Sequence, residues 1–121
     1  MKTVVILGAS DKPARASHAL LARMLGRGGY APVPVHPALD SIAGLPVRKN
    51  LREVPAHPDL LTMYVSPERS SALEAEIVRL APRKVIFNPG AENPVLEARL
   101  EAAGIPVENA CSLVLLGQNL L

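Results

Sequence analysis

Tryptophan is absent from this chain, phenylalanine occurs once, and aromatic residues make up only 2% of its 121 positions. Single-stranded nucleic acid is held on successive exposed rings, so the composition excludes that kind of partner. Charge agrees. Thirteen Lys and Arg against eleven Asp and Glu leave a net charge of +2, too small for a phosphate-backbone binder. No run of one sign exceeds two residues. A single cysteine, Cys111, excludes an internal disulfide and fits a reducing compartment. No apolar run reaches membrane-spanning length, and no signal-type apolar segment follows the first residues. The expectation is a cytoplasmic protein without nucleic-acid or membrane partners. The three histidines are scattered, no H-x-x-x-H or C-x-x-C spacing occurs, and Gly-x-Ser-x-Gly is missing. No metal set and no catalytic set can be read.

What is present is aliphatic. Apolar residues make up 49% of the chain, enough for one domain over residues 1–121 with a core of Leu, Val, Ile and Ala. Val4–Leu7 is apolar on both faces, as a buried parallel strand requires. Ser17–Arg27 has helical spacing, with Leu20, Leu21, Met24 and Leu25 on one face, and Gly28-Gly29 stops it. Ala31–Val35 reads as a strand made irregular by Pro32 and Pro34. An irregular crossover follows over 37–52, with 46–48 as a short edge strand. Leu60–Val65, Lys84–Phe87 and Ile105–Val107 are further strands. Ser66-Pro67-Glu68 and Asn93-Pro94 each read as an N-cap followed by proline at the first helical position. Leu73, Ile77 and Leu80 line the first of those helices; Leu96, Leu100 and Ala103 line the second. Cys111–Leu116 is an apolar C-terminal stretch. Alternating strands and helices predict an α/β fold: a single Rossmann-like domain, its mostly parallel sheet covered by helices on both faces. The expected strand order is 3-2-1-4-5.

The first strand stops on Gly8-Ala9-Ser10, beside Lys12, Arg15 and Ser17. A glycine-terminated strand feeding a helix lets backbone approach an anion, and cations with hydroxyls suit several phosphates. The same cations could simply solubilise an exposed loop. The loop is not G-x-G-x-x-G, and strand 2 ends in Val35-His36-Pro37 where a nicotinamide dinucleotide site expects an acid. That weighs against NAD.

Gly8-Ala9-Ser10, Pro13, Arg15, Pro34-Val35-His36-Pro37, Gly44, Phe87-Asn88-Pro89-Gly90-Ala91-Glu92-Asn93 and Cys111-Ser112-Leu113-Val114 occur in that order. The order resembles the small stand-alone CoA-binding proteins, which are similar to the N-terminal CoA-binding domain of the succinyl-CoA ligase α subunit. The resemblance spans nearly the whole chain. It implies a CoA site. Gly8, Ala9, Ser10, Arg15 and Ser17 would lie along the pyrophosphate. Pro34, His36 and Pro37 would border the adenosine, Ser66 and Pro67 would close the other wall, and Asn88 with Gly90 would form the floor near the pantetheine. Two departures stand out. His36 replaces the family's usual Asn, and Ala38 replaces a Lys suited to the 3′-phosphate, for which Lys12, Arg15 or Lys49 could substitute.

The expected function is binding of CoA or an acyl-CoA in a crevice between the loops after strands 1, 2 and 4. The protein would act as carrier or sensor rather than as a complete ligase, which also needs a phosphohistidine domain and a partner subunit. Three alternatives stand beside it. One is a small CoA-dependent acyl- or thiol-transfer enzyme using Cys111, against which its apolar neighbours point to a buried structural thiol. The others are a nicotinamide dinucleotide-binding domain and a protein-interaction module, with homo-oligomerisation through the apolar C-terminal stretch left open.

Overall fold

A computed structural model describes residues 1–121. Along the chain run β1 (Lys2–Leu7), α1 (Ala16–Arg27) and β2 (Tyr30–Val35), then a small hairpin of β3 (Ser41–Ile42) and β4 (Leu45–Pro46). A 3-10 turn at Leu51–Glu53 leads to β5 (Leu60–Met63), α2 (Pro67–Ser71), α3 (Glu74–Leu80) and β6 (Val85–Phe87). The chain closes with α4 (Pro94–Ala102), β7 (Val107–Asn109) and α5 (Ser112–Gly117).

Five strands form one parallel sheet in the order β2-β1-β5-β6-β7. Successive residues of β1 and β5 face opposite layers, so both faces are apolar and both strands are buried throughout their inner stretches. On one side Val4, Ile6, Leu60 and Ile86 meet Leu20, Leu21 and Met24 of α1 and Leu116 of α5. On the other, Val5, Leu7, Leu61, Met63 and Phe87 meet Ile77 and Leu80 of α3 and Leu96 and Leu100 of α4. This is the single Rossmann-like α/β domain that the alternation of elements predicted.

The strand order differs from the expected 3-2-1-4-5. The third strand of the sheet, β5, lies on the far side of β1, giving 2-1-3-4-5. Prolines decide this. The Pro34 carbonyl accepts from Arg48 N–H, and His36 N–H donates to the Arg48 carbonyl. Pro32, Pro34 and His36 therefore turn their backbone nitrogens outward, away from β1. A strand with two missing outward donors cannot be paired along its length on that side and becomes an edge. The expected edge strand at 46–48 shrinks to a single bridge between Val35 and Arg48.

Other differences are local. The helix expected after Ser66 is two pieces: Ser70 Oγ donates to the Pro67 carbonyl at 3.2 Å, and the Ser70 and Ser71 hydroxyls accept from Asn93 Nδ2, each at 2.9 Å. Such side-chain bonds compete with helical backbone bonding. Leu25 leaves the apolar face of α1, and Ala103 is exposed at the end of α4, where buried Glu97 joins the inner surface instead. The last strand starts at Val107 rather than Ile105, because Ile105 N–H is drawn back to the Leu100 carbonyl to close α4.

Candidate functional site

The C-terminal ends of β1, β2 and β5 open onto a cleft of about 550 Å3. In a 2-1-3-4-5 sheet the chain reverses its direction of winding between β1 and β5, and the crevice left there is where open α/β sheets hold ligands. Gly8 makes this junction possible. Its φ is +87°, and a Cβ at this position would stand 2.9 Å from Val65 Cγ1 and 3.0 Å from the Tyr64 carbonyl carbon. Any side chain would push the two strand ends apart.

Eight of the thirteen residues expected at the site line this cleft: Gly8, Ala9, Ser10, Lys12, Arg15, Ser17, His36 and Ser66. Pro37 lines a second, apolar-walled cleft of about 310 Å3, which shares Gly8, His36, Val65 and Arg69 with the first. Pro34, Pro67, Asn88 and Gly90 line neither. Pro34 is buried in β2 and Pro67 is exposed at the start of α2. Asn88 is buried and fully occupied by the fold. Its Nδ2 donates to Thr62 Oγ1 at 2.7 Å and to the Met63 carbonyl at 2.9 Å, while its Oδ1 accepts from Ser112 N–H at 2.9 Å. Gly90 is exposed and donates its N–H to Glu92.

The backbone donors are distributed otherwise than the glycine-ended strand suggests. Gly8 and Ala9 both donate to the Val35 carbonyl, each at 3.2 Å. Unbonded within the protein are the N–H groups of Ser10 and Asp11, those of Val65 and Ser66 after β5, and those of Ala16 and Ser17 in the first turn of α1. A helix start of this kind carries partial positive charge and points its donors at the cleft. Lys12 and Arg15 stand beside it, exposed, and neither takes part in an ion pair.

His36 is held as one tautomer. Its Nδ1 accepts from Ala38 N–H at 3.0 Å and Leu39 N–H at 3.1 Å, so the neutral ring carries its proton on Nε2 as a donor. Lys49 is fastened elsewhere. Its Nζ donates to the Leu39 carbonyl at 2.7 Å and the Ala38 carbonyl at 3.2 Å, and pairs with Asp40 at 2.8 Å. The Lys49 ammonium, bonded to Asp40, holds that carboxyl below its usual range. Lys49 thus stiffens the loop after β2 rather than offering a free charge.

Sequence reasoning passed over six residues of the first cleft: Asp11, whose carboxylate stands beside the cations, and Ala16, Leu39, Tyr64, Val65 and Arg69. Tyr64 forms part of the wall, and its buried hydroxyl has no hydrogen-bond partner. It lies near Thr62, Cys111 and Ser112, and burial pushes its pKa up to about 12. Arg69 lines both clefts. Its signal was its place three residues after the Ser66 cap, in the first turn following a strand end. Cys111 lines neither cleft, and no group of three or more His, Cys, Asp or Glu could hold a metal ion. No helix is long and apolar enough to cross a membrane.

Fold and cleft together define a small Rossmann-like domain with a cationic crevice at its strand ends. Residues 2–117 match the family model described as a CoA binding domain, and the chain belongs to that family. It is 26% identical over 77 residues to the uncharacterized protein YneT of Bacillus subtilis (strain 168). That stretch covers 64% of this chain and 56% of the relative, a little over half of its length. The crystal structure of an uncharacterized protein superposes with a TM-score of 0.91 at 32% identity, over 100% of this chain and 98% of that one. The dinucleotide forming acetyl-coenzyme A synthetase 1 of Ca. Korarchaeum cryptofilum, in complex with phosphate and ADP, superposes with a TM-score of 0.77 at 19% identity. Here 90% of this chain matches 25% of that one, a likeness of fold.

Proposed function

We propose that this chain binds CoA or an acyl-CoA in the rim cleft and acts as a carrier or sensor rather than as a complete ligase. One observation carries the reading within a CoA binding family. The unbonded N–H groups of Ser10, Ala16 and Ser17 converge with the unpaired Lys12 and Arg15 on one crevice. That set suits a pyrophosphate, with backbone donors giving direction and side chains giving charge. The second cleft, walled by Leu7, Val35, Leu51 and Leu73, offers apolar surface to the rest of such a ligand. Binding rather than transfer fits the chemistry of the walls, which include no cysteine.

Calorimetric titration with CoA, dephospho-CoA and NAD tests the proposal. Saturable binding of CoA, tighter than that of NAD, is expected. Binding of NAD in preference to CoA, or of neither, would overturn it.

A further inference from the structure

CoA carries two anionic centres on opposite sides of its ribose, the pyrophosphate at the 5′ position and a phosphomonoester at the 3′ position. The cations of the cleft also fall into two groups. Lys12 and Arg15 stand on the loop before α1, beside the free helix donors. Across the cleft, α2 presents Arg69, at the junction of the polar cleft with the apolar one.

We infer that Arg69 is the residue that reads the ribose phosphomonoester, so that it sets the preference for CoA over dephospho-CoA. The inference rests on the CoA reading above and adds a specificity determinant to it. Elimination supports it first. Lys49 is the other cation of the second cleft, and it is held by Asp40 and two carbonyls. Arg52 is paired with Glu76, the one carboxylate lining that cleft, at 3.6 Å. Arg69 has no ion pair and no side-chain hydrogen bond.

Anchoring supports it second. The Arg69 N–H donates to the Ser66 cap at 3.4 Å, and Asn93 Nδ2 pins α2 through the Pro67 carbonyl at 3.1 Å as well as through Ser70 and Ser71. The backbone of Arg69 is therefore fixed while its guanidinium is free. A planar fork on a fixed base suits bidentate contact with a phosphomonoester, which carries more charge than a diester. A ligand that spans both clefts must pass this residue.

The test is a titration of wild type, Arg69→Ala, Arg69→Lys and Arg15→Ala with CoA and with dephospho-CoA. Arg69 is exposed, so its substitution leaves the core intact. Wild type is expected to prefer CoA. Arg69→Ala should bind CoA about tenfold more weakly, the loss of one charged hydrogen-bonded contact, with dephospho-CoA binding unchanged. Arg69→Lys should recover part of the preference, which a merely structural role would not produce. Arg15→Ala should weaken both ligands alike. If Arg69→Ala keeps the wild-type ratio between the two ligands, the role of Arg69 is refuted while CoA binding stands. If wild type binds neither ligand, both proposals fall together.

Discussion

Arg15 occupies the N-cap position of α1, yet its side chain caps nothing. Because Gly8 and Ala9 direct their N–H groups at Val35, the attraction for an anion beside β1 must come from Arg15, Lys12, the Ser10 N–H and the first turn of α1. Arg15→Ala should therefore weaken CoA binding roughly ten- to a hundredfold, the range for a hydrogen bond to a charged group. Calorimetry reads this directly, and an unchanged affinity would remove Arg15 from the site. Tyr64 makes a different prediction. Its pKa is raised, mainly by burial, from the usual value of 10.0 to about 12. The neutral phenol is thus favoured more in the folded chain than in the unfolded one. Its contribution to stability is complete below about pH 10 and is lost as pH rises from there to about 12. Tyr64→Phe lacks that titration. It also removes a buried hydroxyl that has no partner, so it should be close to neutral at pH 7. Urea unfolding of both proteins across the alkaline range should show the wild type losing more, by roughly 1–2 kcal/mol after allowance for partial exposure. Parallel curves would refute the assignment.

At the scale of elements, Asn93 joins two helices. Its Oδ1 accepts from Leu96 N–H as the cap of α4, while its Nδ2 reaches α2, and its own N–H is bonded by the buried Glu97. Asn93→Ala removes a cap worth about 1 kcal/mol and the donor to the buried Ser70 hydroxyl, about 1 kcal/mol more, since Ser70 keeps its own bond to the Pro67 carbonyl. Chemical denaturation should show a loss of about 2 kcal/mol. CoA affinity should fall as well, because α2 carries Arg69 and is capped by Ser66. A variant as stable as wild type would contradict this account of α2. Asn93-Pro94 was readable as a helix start from its residue types alone. So were Ser66-Pro67, the apolar faces of β1 and β5 and most of the inner stripes. What the sequence hid was nonlocal. The break between α2 and α3 depends on an asparagine more than twenty positions away. The late start of β7 depends on a carbonyl in the preceding helix. The engagement of Gly8 and Ala9 depends on β2. Pro32 and Pro34 marked β2 only as irregular, because the direction in which their nitrogens face, which makes it an edge strand, is set by the fold.

For the whole molecule, a net charge of +2 hides an uneven placement. Three unpaired cations, Lys12, Arg15 and Arg69, face one crevice. All are exposed, so their attraction for a multiply charged ligand is open to screening. The dissociation constant for CoA should rise several-fold between about 50 mM and about 500 mM sodium chloride, where the Debye length falls well below 10 Å. Indifference to salt would point to binding by the apolar second cleft alone. The ligand should also raise the unfolding midpoint. At a hundredfold excess over its dissociation constant the linkage is about 2.7 kcal/mol, visible in a thermal scan. The overall architecture was legible because a βα alternation leaves few ways to cover an aliphatic sheet. The site was legible in its first loop, where cations cluster in sequence, and illegible at Arg69, which only folding brings opposite them.

The prolines of β2 reach beyond topology. An exposed parallel edge is a template on which another chain can add a strand, and the additions can continue into fibrils. Here a newcomer would meet two positions with no proton to give, and the Val35–Arg48 bridge already covers the next. The residues that fix where β2 sits also deny that side of the sheet to aggregation. The cleft beside it can therefore stay open to solvent without exposing a strand on which fibrils could grow.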